Sequence, residues 1–138
     1  MGLTKYIFAL FLLLPLPAQA KTFNADTFKL DNGLQVVVIE NRRAPVVTHM
    51  LWYKFGRADE KAGESGIAHF LEHLMFKGTA KYGPKVFSRE VQKVGGTDNA
   101  FTSRNYTAYF ETGPKEQLRH WLEMEADRLR GIIIDEKV

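Results

Sequence analysis

Three side chains in one short stretch have the types and spacing for metal chemistry: His69, Glu72 and His73, arranged His-x-x-Glu-His between Gly66 and Gly78. In a helix, residues i and i+4 stand one turn apart on the same side, so both imidazoles can point a nitrogen at one divalent cation. Zn²⁺ accepts such a pair, and a hydrolytic zinc site adds a third protein ligand and keeps a position open for water. Glu72 follows His69 by three residues and adjoins His73. It is placed to act beside that water as a general base rather than as a ligand. The expected chemistry is hydrolysis, with Zn²⁺ as cofactor, His69 and His73 as ligands and Glu72 as the catalytic residue.

The element that must hold these groups is a helix. At about 100° per residue, His69, Glu72, His73 and Phe76 fall on one side, and Ile67, Leu71, Leu74 and Met75 on the other. One face is expected to be buried and the other to be free for an ion. Ser65 is the expected N-cap and Gly78 the expected stop. The order of the motif is the inverzincin one, reversed from His-Glu-x-x-His. A surface helix with two solvated histidines is the plainer alternative.

Around this helix the chain alternates between strand-like and helix-like patterns. Phe28-Lys29-Leu30 and Leu34 to Ile39 flank Asp31-Asn32-Gly33, a hairpin with Asn-Gly at its turn. Val46 to Phe55 has apolar residues at both parities, as in a strand at the middle of a covered sheet. His49, inside it, is read as a hydrogen-bonded core residue. Gly56 to Glu64 is a charged loop that delivers the chain to the metal helix, either touching substrate or simply solvated. A second helix is predicted from Pro84 to about Val94, with Val86, Phe87, Glu90, Val91 and Val94 on one stripe.

Asn99 to Phe110 reads as extended chain with a break near Arg104-Asn105. If its first half is a free edge beside the metal helix, a peptide could add to it as a further strand. An ordinary hairpin arm is the alternative. A third helix follows Thr112-Gly113-Pro114 and runs to about Arg130, with Leu118, Trp121, Leu122 and Leu129 on one stripe. Glu125 points into that stripe and so needs a partner. Arg57 or Arg104 could supply it, or Glu125 could orient a metal-binding histidine. His120 falls on the far side and is expected at the surface.

Residues 1–20 carry Lys5, an apolar run from Tyr6 to Leu16, and Ala18-Gln19-Ala20, the pattern of a cleavable signal peptide. Cleavage before Lys21 and a periplasmic or secreted location are expected. The chain has no cysteine, which excludes a disulfide framework. Its net charge of +3 comes from scattered lysines and arginines without a basic run, so no nucleic-acid partner is expected, and no membrane association after cleavage. The mature stretch is long enough for one modest domain.

Several stretches together resemble the M16 family of zinc metallopeptidases, which includes pitrilysin, insulin-degrading enzyme and the mitochondrial processing peptidase. They are Gly56-Arg57 with Gly63, His69-Phe70-Leu71-Glu72-His73 followed by Phe76-Lys77-Gly78-Thr79, and Glu90, Gly95-Gly96, Asn99-Ala100-Phe101-Thr102-Ser103 and Tyr109. The likeness covers essentially residues 25–138 and is strongest to exported bacterial members. It implies that His69 and His73 bind zinc, that Glu72 activates the water, and that Asn99, Ala100 and Phe101 lie on the edge strand that takes up substrate. It also implies an α/β (α+β) fold, a mixed and largely antiparallel sheet covered by helices. A second such domain or subunit would close over short or unfolded peptides.

The family's third ligand is a glutamate about 75 residues beyond the second histidine, which would fall past Val138, and Glu111, Glu123 and Glu125 do not match its pattern. Residues 21–138 are thus expected to be the N-terminal part of a peptidase domain, incomplete at its C-terminus, with little activity alone. The alternatives are a non-catalytic zinc-binding subunit or scaffold, and a lyase of the S-ribosylhomocysteine-cleaving type. The lyase ligates its metal through a cysteine that this chain lacks.

Overall fold

The computed structural model describes residues 24–134, and the chain divides into two compact units after Arg42. The predicted signal peptide lies outside the described residues. In the first unit, β1 (Ala25–Lys29) and β2 (Gln35–Ile39) pair antiparallel with Phe28 opposite Val36. The turn is the expected one. Gly33 takes a left-handed φ of +86° and donates its amide to the Leu30 carbonyl at 2.8 Å, while Asn32 Oδ1 accepts from the Leu34 amide at 3.0 Å. A side chain with a Cβ is strained at such a φ, which explains the Asn-Gly pair.

The second unit holds β3 (Val46–Tyr53), α1 (Ile67–Leu74), α2 (Val86–Lys93), β4 (Thr97–Thr102), β5 (Thr107–Pro114) and α3 (Leu118–Gly131). Its three strands are antiparallel in the order β3-β5-β4, with Trp52 opposite Ala108 and Ala100 opposite Tyr109. The helices pack on the sheet, α1 and α2 against β4 and α3 against β3. Phe87, Val91, Trp121 and Met124 form the core, joined by Val47, Tyr82 and Val94. Packing at its centre is tight enough that a Cβ on Gly113 would come within 3.0 Å of the Trp121 ring. Among the described residues, no helix is long and apolar enough to cross a membrane.

Several expectations need correction. β3 is an edge of this sheet, not its middle, because the centre is taken by β5, whose Ala108, Tyr109 and Glu111 are buried. Val46, Met50 and Trp52 are exposed on β3, and Trp52 meets Phe101 and Tyr106 at 5.9 and 4.9 Å between ring centroids. In α1 the buried stripe is Ala68, Glu72 and Met75, while Ile67 and Leu71 of the expected back face are exposed, as is Phe70. The buried positions follow spacings of four and three from Ala68, so the Glu72 side of the helix faces the sheet, where Thr102 meets it.

The stripe of α3 is likewise Trp121, Met124, Glu125 and Arg128, with Leu122 and Leu129 exposed. Spacings of three and four from Trp121 select these positions. Glu125 does find a partner, but it is Arg128 one turn along, not Arg57 or Arg104. α1 ends at Leu74 rather than Gly78, although Gly78 has the left-handed φ expected just past a helix. Pro84 sits in the turn before α2.

Candidate metal centre

α1 is held at its start by a side chain far from the expected N-cap. Its capping residue is Gly66, φ +94°, and Ser65 makes no capping bond; instead, Glu60 accepts from the Gly66 and Ala68 amides at 3.0 Å each. A carboxylate at a helix N-terminus satisfies orphan amides and the helix dipole together. These two backbone bonds hold the Glu60 carboxyl below its ordinary range.

Glu60 is itself located by the loop before it. Arg57 and Ala58 amides donate to the Ser103 and Arg104 carbonyls at 3.1 and 2.7 Å, and the Gly56 amide donates to Asp59 Oδ2 at 2.8 Å. Gly56 is required here because a Cβ would come within 2.5 Å of the Tyr106 backbone nitrogen. The charged loop thus ties the β4–β5 turn to the start of α1.

On this helix His69 and His73 stand as the spacing requires. Their Nε2 atoms are 3.1 Å apart, with ring centroids 4.6 Å apart, and both rings are exposed. Two nitrogens each about 2.05 Å from one zinc and this far apart would subtend roughly 100°, close to tetrahedral. That spacing is one a shared Zn²⁺ could bridge. Among the described residues, no group of three or more His, Asp or Glu side chains converges to hold a metal.

Glu72 is turned the other way from the solvent, 8% exposed, and its Oε2 accepts a 2.5 Å hydrogen bond from Thr102 Oγ1 on β4. Thr102 was not singled out as a site residue by its sequence position. The only hint was its place in the run Asn99 to Ser103, since a contact across thirty residues has no local signature.

The edge strand is more selective than the sequence suggested. The Ser103 amide donates to the Tyr106 carbonyl at 2.8 Å. Counting back along the antiparallel register, Phe101 and Asn99 are paired through their main chains to β5, while Ala100 and Thr102 turn theirs to the free side. The Ala100 amide accordingly donates to Asn99 Oδ1 at 2.9 Å rather than to a strand. Of Asn99, Ala100 and Phe101, Ala100 turns its main chain to the free edge, and the other two expose side chains on the outer face of the sheet.

Residues 35–137 match the sequence model of Insulinase (Peptidase family M16). The chain belongs to peptidase family M16. Among curated M16-type relatives, the zinc protease PqqE of Helicobacter pylori is 37% identical over 86% of this chain and 27% of its own length. A probable mitochondrial-processing peptidase subunit beta of Arabidopsis thaliana is 34% identical over 78% of this chain and 20% of its own. The chain thus spans about a quarter or less of the length of these relatives. The crystal structure of a Helicobacter pylori protease superposes with a TM-score of 0.80 at 35% identity, covering 83% of this chain and 28% of that one. Pitrilysin shares the fold, with a TM-score of 0.75 at 23% identity. The mixed α/β fold with antiparallel strands and covering helices is an M16 peptidase fold, as its residues resemble.

Proposed function

We propose that this chain is part of a zinc-dependent metalloendopeptidase acting on short or unfolded peptides, with His69 and His73 as zinc ligands and Glu72 as general base. One observation carries the reading: two imidazole nitrogens 3.1 Å apart on one helix, with the carboxylate between them in sequence bonded to the edge strand. Membership of M16 and relatives named zinc proteases support it.

A bound zinc ion would supply Lewis acidity and make water a nucleophile near neutral pH. The remaining work falls to the chain. The Thr102 hydroxyl fixes the orientation of the Glu72 carboxylate that takes the proton. Ala100 and Thr102 present main-chain groups for a peptide adding to β4, so the peptide is gripped mainly through its backbone, with little demand on side-chain identity. The third ligand, and a second M16-like domain or subunit that closes over the peptide, come from outside residues 24–134. Relatives named as subunits of the mitochondrial-processing peptidase support a partner of that kind. Ala18-Gln19-Ala20 directs export to the periplasm or beyond, and a mature N-terminus at Lys21 would verify it.

The test is peptide cleavage by the intact, zinc-loaded protein against its Glu72→Gln variant. Loss of a positioned base should lower kcat by about a hundredfold or more with zinc content unchanged. Equal cleavage by both proteins would sink the proposal. A second reading, a non-catalytic zinc-binding subunit, needs only the two imidazoles one turn apart on α1. It predicts zinc binding without any hydrolysis that depends on Glu72.

A further inference from the structure

The sheet has a second face, and its side chains are unusual for one left in water. Thr102 and Asp98 of β4 bond to Glu72 on α1 and Ser88 on α2, so Asn99 and Phe101, of opposite parity, point away from the helices. The register sets Trp52, Ala108 and Phe101 in one row across β3, β5 and β4, and Met50, Phe110 and Asn99 in the next. Neither row holds a charged residue. Trp52 is 50% exposed and Phe101 and Met50 are 37% exposed each, while Ala108, between Trp52 and Phe101, is fully buried.

The rings on this face touch one another. Trp52 is 4.9 Å from Tyr106 and 5.9 Å from Phe101, and Phe101 is 6.0 Å from Tyr106 and 6.2 Å from Phe110, between centroids. Phe101 stands edge-to-face to Trp52 and to Tyr106, at 87° and 83°, an attractive geometry that orders all three. Tyr106 is held further by its turn, where its carbonyl accepts from the Ser103 amide at 2.8 Å and Gly56 packs against its nitrogen. A surface already ordered loses little freedom when something binds to it.

What binds follows from where the cluster begins. Phe101 belongs to it and also to β4, between Ala100 and Thr102, whose main chains turn to the free edge. The aromatic surface is therefore continuous with the edge proposed to take up peptide, and it runs two strand spacings, about 10 Å, across to β3. Uncharged and aromatic, it suits the large apolar side chains that a folded protein buries and an unfolded chain exposes. We propose that Trp52, Tyr106 and Phe101 form a second contact for the peptide, taking an aromatic or large apolar side chain about four residues along from the segment paired with β4. The proposal rests on the reading of β4 as a peptide-binding edge. It adds selection: the edge grips backbone alone, whereas a chain long and unfolded enough to reach the rings as well gains a second, linked contact.

Two measurements on the intact protein test this. In the Glu72→Gln variant, a glycine-serine peptide with one central phenylalanine is titrated against the same peptide without it, while tryptophan emission is followed. The phenylalanine peptide should bind about three- to tenfold tighter and move emission to shorter wavelength, and Trp52→Phe should remove that shift. In the unsubstituted protein, mass spectrometry should find cuts gathered several residues from the phenylalanine, and Trp52→Ala should scatter them. Equal affinity for the two peptides, a shift that survives in Trp52→Phe, or cuts directly beside the ring that ignore Trp52→Ala would overturn the proposal. So would Trp52 emission shielded from acrylamide before peptide is added, the mark of a face covered by the rest of the protein, or a shift that follows protein concentration alone, the mark of a second copy. If phenylalanine-dependent binding stands but no cleavage depends on Glu72, the aromatic contact holds and the peptidase reading falls.

Discussion

The hydrogen bond from Thr102 to Glu72 decides what the carboxylate can do. A bond to an ionised group contributes about 1.5–3 kcal/mol, which corresponds to roughly ten- to a hundredfold if it acts in the transition state. Thr102→Val keeps the shape of the side chain and removes the donor. In the peptidase reading, kcat should fall by about that factor while KM and zinc content stay near their starting values, and Thr102→Ser should restore most of the loss. A variant that loses zinc instead would mark Thr102 as a packing residue. The spacing of His69, Glu72 and His73 made the two imidazoles legible from sequence, because a one-turn separation fixes their meeting. Thr102 was not legible as their partner, nor was Arg128 as the partner of Glu125. The first contact crosses from helix to strand. The second lies within reach of a helical wheel, three residues on, a spacing that neither Arg57 nor Arg104 has.

At the level of elements, α1 depends on a connection that its own residues do not reveal. The loop from Gly56 to Glu60 is pinned to the β4–β5 turn, and Glu60 then caps the helix that carries both histidines. Glu60→Ala should leave the Gly66 and Ala68 amides without acceptors and fray the first turn, where His69 sits. Faster amide exchange at Ala68 and His69 is expected, together with weaker zinc binding, while β4 and β5 keep their protection. Because backbone bonds hold the Glu60 carboxyl down, the cap is complete above the ordinary carboxylate range and is lost as pH falls through its lowered value. Exchange measured across that acid range should therefore change in the parent protein and stay flat in Glu60→Ala. Hairpin turn and helix positions were readable because glycine and periodicity act locally. The order β3-β5-β4 was not, since an apolar strand reads alike at the centre and at an edge whose outer face carries Trp52.

Across the whole molecule the sequence indicated an incomplete ligand set, and the geometry sharpens what that should mean. Two imidazoles fit one zinc ion, yet no third acidic or imidazole group converges on them among the described residues. Ile67, Phe70 and Leu71 on the same helix are also left exposed, Phe70 by 61%. On the proposed peptidase reading, protein from outside residues 24–134, apolar where it covers α1 and ligating where it reaches the histidines, completes the centre. Residues 21–138 expressed alone should then bind zinc weakly and surrender it to a chelator. The intact protein should hold one ion tightly, at least about a hundredfold better, since even loss of an outer partner of a ligand commonly costs ten- to a hundredfold. Calorimetric titration of both forms settles the matter. Equal affinities would mean that the two histidines and water suffice, and the case for an external third ligand would fall while the peptidase reading could stand. His73→Ala in the intact protein supplies the control, because it must weaken binding whichever source completes the set.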